Sequence, residues 1–200
     1  MSLAHAILAS LVEEATSGYE LVKDFNERIA CYWQASQQQI YRELNRLEEQ
    51  GWIAGERVIQ TDRPNKKLYR ITPAGLQALK EWVAQPSDPA AIREELLVKV
   101  LAGYLVDPLV IRAEVQRRRE YHQARLEHYH QVEEAYFQNL TAAPLPKQFM
   151  YRTLRRGIRY EADWVAWCDE TLEWLNGTAS SATPGTKPEA AADWLATNLG

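Results

Sequence analysis

A capped amphipathic segment, followed at once by a glycine and two β-rich runs, constrains this 200-residue chain more than any other feature. Ser36 and Gln39 have the spacing of a capping box, in which the hydroxyl accepts from an orphan amide and the Gln side chain reaches back. The spacing predicts a helix over 36–50. At ~100° per residue, Ile40, Leu44 and Leu47 share one face and anchor the helix to a core. The opposite face collects Gln38, Arg42, Asn45 and Glu49, with Tyr41 and Arg46 on its flanks. Gln, Asn and Arg make paired hydrogen bonds to base edges in a major groove. Taken alone, such a face reads as a plain solvated one; the residues after Gln50 reverse that reading.

Gly51 stands where a helix ends in the left-handed conformation. Residues 52–60 and 67–71 then flank Thr61-Asp62-Arg63-Pro64-Asn65-Lys66, which reads as a hairpin around a Pro/Asn turn. From Arg57 to Arg70 there are five cations against one anion, a local balance of +4. A basic tip beside a groove-reading helix would meet phosphates or enter a minor groove. A lysine-protected solvent hairpin is the blander alternative.

Upstream, Leu3, Ile7, Leu8, Leu11 and Val12 predict a helix over 3–13. Ser17 and Glu20 make a second capping box, opening a helix over 18–31 that carries Leu21, Val22, Phe25 and Ile29. Trp33 is placed beneath the third helix. Three short helices followed by a hairpin make a winged helix-turn-helix, with the second and third helices as the helix-turn-helix pair. Thr72-Pro73 is an N-cap with proline at N1, launching a fourth helix with Leu76, Leu79, Trp82 and Val83. Pro86-Ser87-Asp88-Pro89 is the expected boundary, which gives domains at 1–86 and 87–176 and a tail at 177–200.

The second half reads as helical. Asp88-Pro89 and Asp107-Pro108 repeat the cap-then-proline pattern and predict helices over 89–104 and 108–140. Pro144 and Pro146 bracket a turn before a helix over 147–176. That helix has one stripe of Met150, Leu154, Ile158, Val165, Cys168, Leu172 and Leu175, and a second of Tyr160, Trp164, Trp167 and Trp174. Two adjacent apolar stripes exceed what one helical partner covers, so a subunit interface is expected. Residues 177–188 read as a flexible linker, and Glu189–Leu199 as a loose end able to form a short helix.

No catalytic motif or cofactor fingerprint is present: GxSxG, HExxH, a P-loop and a dinucleotide glycine pattern are all missing. His128 and His130 point ~200° apart on a helix, so with His122 they read as solvated or interfacial residues. Arg117, Arg118 and Arg119 read as a salt-bridged face with Glu114 and Glu120. Cys31 and Cys168, without CxxC spacing, read as buried free thiols in a reducing cytoplasm. With no leader-like start and no apolar run of ~18 residues, neither export nor membrane insertion is expected. Net charge is −4, so nucleic-acid binding rests on a local basic patch.

Gly18-Tyr19-Glu20-Leu21, Gln39 through Ile53, and Lys67-Leu68-Tyr69-Arg70-Ile71-Thr72-Pro73-Ala74-Gly75 together resemble the PadR family of bacterial transcriptional regulators. Arg156 through Glu161 and Trp167 through Leu175 resemble that family's longer helical dimerisation domain. The likeness spans about residues 3–176. Many relatives have Pro-Ala after the helix tyrosine, where this chain has Arg42-Glu43. The resemblance implies a mainly α fold: a winged helix-turn-helix head and an α-helical C-terminal dimerisation domain. It also implies a cytoplasmic homodimer binding an inverted-repeat operator in double-stranded DNA, and a repressor relieved by a signal such as a small aromatic molecule. Candidate DNA-binding residues are Ser36, Gln37, Gln38, Tyr41, Arg42, Asn45 and Arg46 on the helix, and Arg63, Lys66, Lys67 and Tyr69 on the wing. Tyr160, Trp164 and Trp167 are candidates for an effector or interface site. The competing expectation is a winged-helix protein-interaction module without DNA, since residues 1–85 hold ten cations and eleven anions.

Overall fold

The computed structural model describes residues 2–29, 33–59 and 65–181. Cys31, Arg63 and the segment from 182 onward lie outside these. The chain divides into two compact units, residues 1–92 with 127–160, and residues 93–126 with those from 161 onward.

In the first unit, α1 (Ser2–Ser10) is followed by a two-residue strand β1 (Thr16–Ser17), α2 (Gly18–Asp24) and one π-helical turn (Phe25–Ile29). Then come α3 (Gln37–Glu49), β2 (Ile53–Val58), β3 (Lys66–Ile71) and α4 (Pro73–Val83). The helix expected over 3–13 thus ends at Ser10, and the helix expected over 18–31 changes pitch at Phe25. Both capping boxes are formed: Ser17 with Glu20 opens α2, and Ser36 with Gln39 opens α3. Gly51 takes φ 70°, its amide donates to the Glu48 carbonyl, and the Trp52 amide donates to Leu47. This paired 5→2 and 6→1 closure satisfies carbonyls that would otherwise be orphaned. Thr72 caps α4, accepting from the Gly75 amide at 3.1 Å.

The sheet order is β1-β3-β2, all antiparallel. Ser17 both caps α2 and pairs with Leu68, so β1 lies in the residues that lead into the cap. The head's core holds Ile7, Leu8, Leu11, Leu21, Phe25, Ile40, Leu44, Leu47, Ile53 and Tyr69. Trp33 lies half-buried against it. Each of the three α3 anchors is fully buried, contributing about 1.5–3 kcal/mol by area removed from water. His5 of α1 stacks on Trp82 of α4 at 4.3 Å, covering one face of a tryptophan that is otherwise 41% exposed.

The remaining helices are α5 (Glu95–Leu101), α6 (Pro108–Tyr136) and α7 (Leu145–Ser181), with 3-10 turns at Gly103–Leu105 and Leu140–Ala142. Three expectations need correcting. Asp88-Pro89 does not start a helix: residues up to Arg93 are irregular, and Glu94 caps α5 by accepting from the Leu96 amide. Arg118 holds Glu94 bidentately at 2.8 and 2.9 Å, and that tertiary contact fixes the start. The guanidinium also holds the Glu94 carboxyl below its ordinary value. The long α6 stops at Tyr136, not 140, with Asn139 left-handed at φ 56°. Finally, α7 begins at Leu145, takes Pro146 into its first turn, and runs through Gly177 to Ser181, where a linker had been expected.

In the second unit Leu96, Ile111, Val115, Cys168 and Leu175 form the core, with Trp164, Trp167 and Leu172 against it. Cys168 is a buried free thiol whose pKa burial pushes up. The arginine run is salt-bridged, to Glu114 from Arg117, to Glu94 from Arg118 and to Asp169 from Arg119. His122 departs from expectation. It is 4% exposed, its Nδ1 lies 2.5 Å from Glu161, and its ring stacks on Trp164 at 4.9 Å. Arg125 Nε also donates to Glu161, at 2.8 Å. In the first unit, His128 is half-buried and meets the Glu27 carbonyl, while His130 is exposed beside Glu133. No described helix is long and apolar enough to cross a membrane.

Candidate nucleic-acid interface

The sequence sorts α3 into two faces, and the fold uses both. With Ile40, Leu44 and Leu47 buried, Gln37, Gln38, Arg42, Asn45 and Arg46 are exposed and Tyr41 is 36% exposed. Ser36, Gln37, Gln38, Tyr41, Arg42 and Asn45 line one open concave surface. Gln39 is occupied in the cap, its Oε1 accepting from the Ser36 amide at 2.8 Å. Thirteen residues make a rod about 20 Å long. A helix of this kind enters a major groove about 12 Å wide.

Tyr41 has a structural role as well. A Cβ on Gly18 would lie 2.6 Å from Tyr41 Cε1, so glycine lets the ring lie on the first residue of α2. The ring joins the two helices of the helix-turn-helix. Arg46 is 3.7 Å from Glu43, whereas no ion pair to Arg42 occurs among the described residues. Among the described residues, Arg42 is therefore a cation on the outward face of α3 without an ion pair.

The wing departs from expectation in its electrostatics. The β2–β3 register sets Gly55 opposite Tyr69, Arg57 opposite Lys67 and Ile53 opposite Ile71, which places these side chains on one face. Ile53 and Tyr69 are buried, so this is the face turned to the core. Tyr69, expected at the DNA surface, is only 5% exposed, and burial pushes its hydroxyl pKa up. It supports the wing from beneath. Lys67 Nζ lies 2.6 Å from Glu48 Oε2 on α3 and 5.1 Å from the Tyr69 ring centre. That hydrogen bond raises the Lys67 pKa. Lys66 approaches Glu20 at 4.0 Å. The Glu20 carboxyl is held below its ordinary value, chiefly by the Ser17 hydroxyl that donates to it. Both lysines expected to hold phosphates thus have carboxylate neighbours. Arg63 is outside the described residues. Arg57, counted in the basic patch but not singled out, is exposed, with no ion pair among the described residues. Its place opposite Lys67 in the ladder was the signal.

The aromatic candidates divide. Trp164 and Trp167 meet edge-to-face at 5.4 Å in the second unit, with Arg118 over Trp164 at 5.2 Å. Tyr160 belongs to the first unit, is 43% exposed, and carries Arg156 over its ring at 5.6 Å.

Comparison with known proteins bears on both halves. Residues 7–81 match the transcriptional regulator PadR-like family, and residues 92–176 match the virulence activator alpha C-terminal family. The probable transcriptional regulator Rv1176c of Mycobacterium tuberculosis is 34% identical over 185 residues, covering 88% of this chain and 98% of that protein. The solved virulence activator AphA of Vibrio cholerae is 33% identical, with a TM-score of 0.72 over 88% of this chain and 99% of its own. The Bacillus subtilis negative transcriptional regulator PadR is 27% identical over 188 residues, covering 87% of this chain and 97% of that protein. Its structure with operator DNA aligns with a TM-score of 0.75 at 24% identity, over 88% and 99% of the two chains. Its structure with p-coumaric acid covers the same shares at the same identity, with a TM-score of 0.70. At that identity these two structures speak for the fold.

Proposed function

Because the chain belongs to the PadR-like family of transcriptional regulators, we propose that it is a cytoplasmic homodimer that binds an inverted-repeat operator and represses until a small aromatic signal releases it. The observation that carries the reading is the outward face of α3. There Gln38, Arg42 and Asn45 combine exposure, paired hydrogen-bonding chemistry and a common concave surface, on a helix pinned by three buried residues. Arg42 and Asn45 meet base edges, Ser36 and Gln37 approach the backbone at the capped end, and Tyr41 bridges to α2. Arg57 supplies the wing's phosphate contact.

Support for a homodimer comes from apolar exposure in and after α5. Val98, Leu101, Tyr104, Leu105, Leu109 and Val110 are each more than half exposed. A patch of this extent is a liability on a monomer. The B. subtilis relative's p-coumaric acid complex and the paired Trp164 and Trp167 support an aromatic signal, since indole faces stack on planar rings. The virulence activator's name leaves activation as the opposite sign for some promoters.

The rival reading, a protein-interaction module, draws on the carboxylates beside Lys66 and Lys67. Gel retardation of source-genome fragments across a salt series separates the two. The proposal expects selective retention of a few fragments, with log affinity falling linearly in log salt by about 0.9 per phosphate contacted. No retained fragment at any salt would hand the function to the rival.

A further inference from the structure

Three elements converge on one contact in the head. Glu48 comes from the last turn of α3, Lys67 from β3, and between them lies Gly55 of β2. A Cβ on Gly55 would overlap Lys67 Cε and stand 2.6 Å from Glu48 Oε1. The missing side chain is what lets the lysine cross β2 to reach the helix. Its ammonium ends 2.6 Å from the carboxylate, over the Tyr69 ring, and both partners are partly shielded, at 39% and 31% side-chain exposure.

Resting on the DNA-binding reading, we propose that Glu48 and Lys67 form a clamp setting the angle between recognition helix and wing, so that Lys67 is a positioning residue and not a phosphate ligand. Geometry separates the two roles. A phosphate ligand has to extend its ammonium outward, but Lys67 turns back across Gly55 and ends on Glu48. Reaching a phosphate would mean leaving a 2.6 Å carboxylate and stranding Glu48 beside polyanionic DNA. The clamp also gives Glu48 a reason to be acidic. On a helix bound to DNA a carboxylate is repelled unless a cation covers it, and Lys67 covers it.

The roles predict opposite behaviour in a double-mutant cycle. The probes are the source-genome fragment best retained by the wild-type protein and a scrambled duplex of equal length, each titrated across a salt series. For the clamp, K67M and E48Q should each weaken the best fragment about fivefold, the scale of one good exposed ion pair. The double variant should be no weaker than either single one, because both remove the same contact. Salt slopes should stay within about 0.5 of wild type, as no phosphate contact is lost. The charge swap E48K/K67E should recover affinity to within about twofold, a rescue that also guards against loss through misfolding.

The clamp is overturned if K67M flattens the slope by about two in a homodimer while E48Q tightens both duplexes. That result makes Lys67 a phosphate ligand restrained by Glu48. A neutral outcome for either single variant, or additive losses in the double, overturns it as well. Failure of the wild-type protein to retain any fragment is a different outcome, and strikes the DNA-binding reading itself.

Discussion

Glu161→Ala should lower unfolding stability by about 3–5 kcal/mol, the scale seen when one partner of a buried ionic cluster is removed. The carboxylate is 2% exposed and accepts from Arg125 at 2.8 Å while lying 2.5 Å from His122, itself 4% exposed. Removing it takes from His122 and Arg125 the carboxylate they share, and leaves a void at a buried position. Glu161→Gln keeps the volume and one acceptor oxygen, so its loss should be smaller. Glu173→Ala, on the exposed side of the same helix, should stay within about 0.5 kcal/mol. Urea midpoints report all three. Similar midpoints for Glu161→Ala and Glu173→Ala would show that the cluster contributes no net stability.

Gly75→Ala should cost about 3 kcal/mol despite alanine's better helix propensity. Alanine gains about 1 kcal/mol over glycine inside a helix. Here, however, the new Cβ would overlap the Trp52 carbonyl oxygen and lie 2.9 Å from its carbonyl carbon. That carbonyl is fixed by the Thr72 amide at 3.0 Å, and the Thr72 hydroxyl donates to the Gly51 carbonyl at 2.7 Å. Backbone meets backbone, with no flexible side chain to yield, so the cost sits at the upper end for overpacking. Gly51→Ala offers a contrast. Nothing lies within 4 Å of its added Cβ, and only the left-handed φ of 70° is penalised, by about 1 kcal/mol. The two urea midpoints should therefore fall in the order Gly75→Ala below Gly51→Ala. The reverse order would mean that the joint between Trp52 and α4 relaxes freely.

These positions show which features were legible in the sequence. Local signals with short-range partners were. Ser36 with Gln39, Ser17 with Glu20, Thr72 with Pro73, and Gly51 all involve residues within a few positions, and each cap forms where its spacing puts it. The apolar face of α3 was equally readable, because period and burial coincide. The misreadings depended on partners far along the chain. Asp88-Pro89 carries the same cap-then-proline pattern as Asp107-Pro108, yet α5 starts seven residues after Asp88, where Arg118 can grip Glu94 from 24 positions away. His122 and Glu161 are 39 positions apart, and nothing local to His122 signals its carboxylate.

In the candidate interface, the helix residues were read from periodicity alone, whereas the wing needed its register. Alternation puts Lys67 and Tyr69 on one face, but only the pairing with Gly55 and Ile53 reveals that this face turns inward. A basic composition therefore looked like a phosphate grip, when one lysine reaches Glu48 and the other approaches Glu20.

The base preference of Arg42→Ala tests most directly whether the outward face of α3 reads bases. Duplexes selected from a random-sequence pool by wild-type protein and by the variant would be sequenced side by side. If Arg42 meets base edges, the variant should lose about 1–3 kcal/mol of discrimination at one or two positions in each half-site, with the rest of the motif intact. An unchanged motif, accompanied by an equal loss of affinity on every sequence, would contradict the claim and reduce Arg42 to a backbone contact.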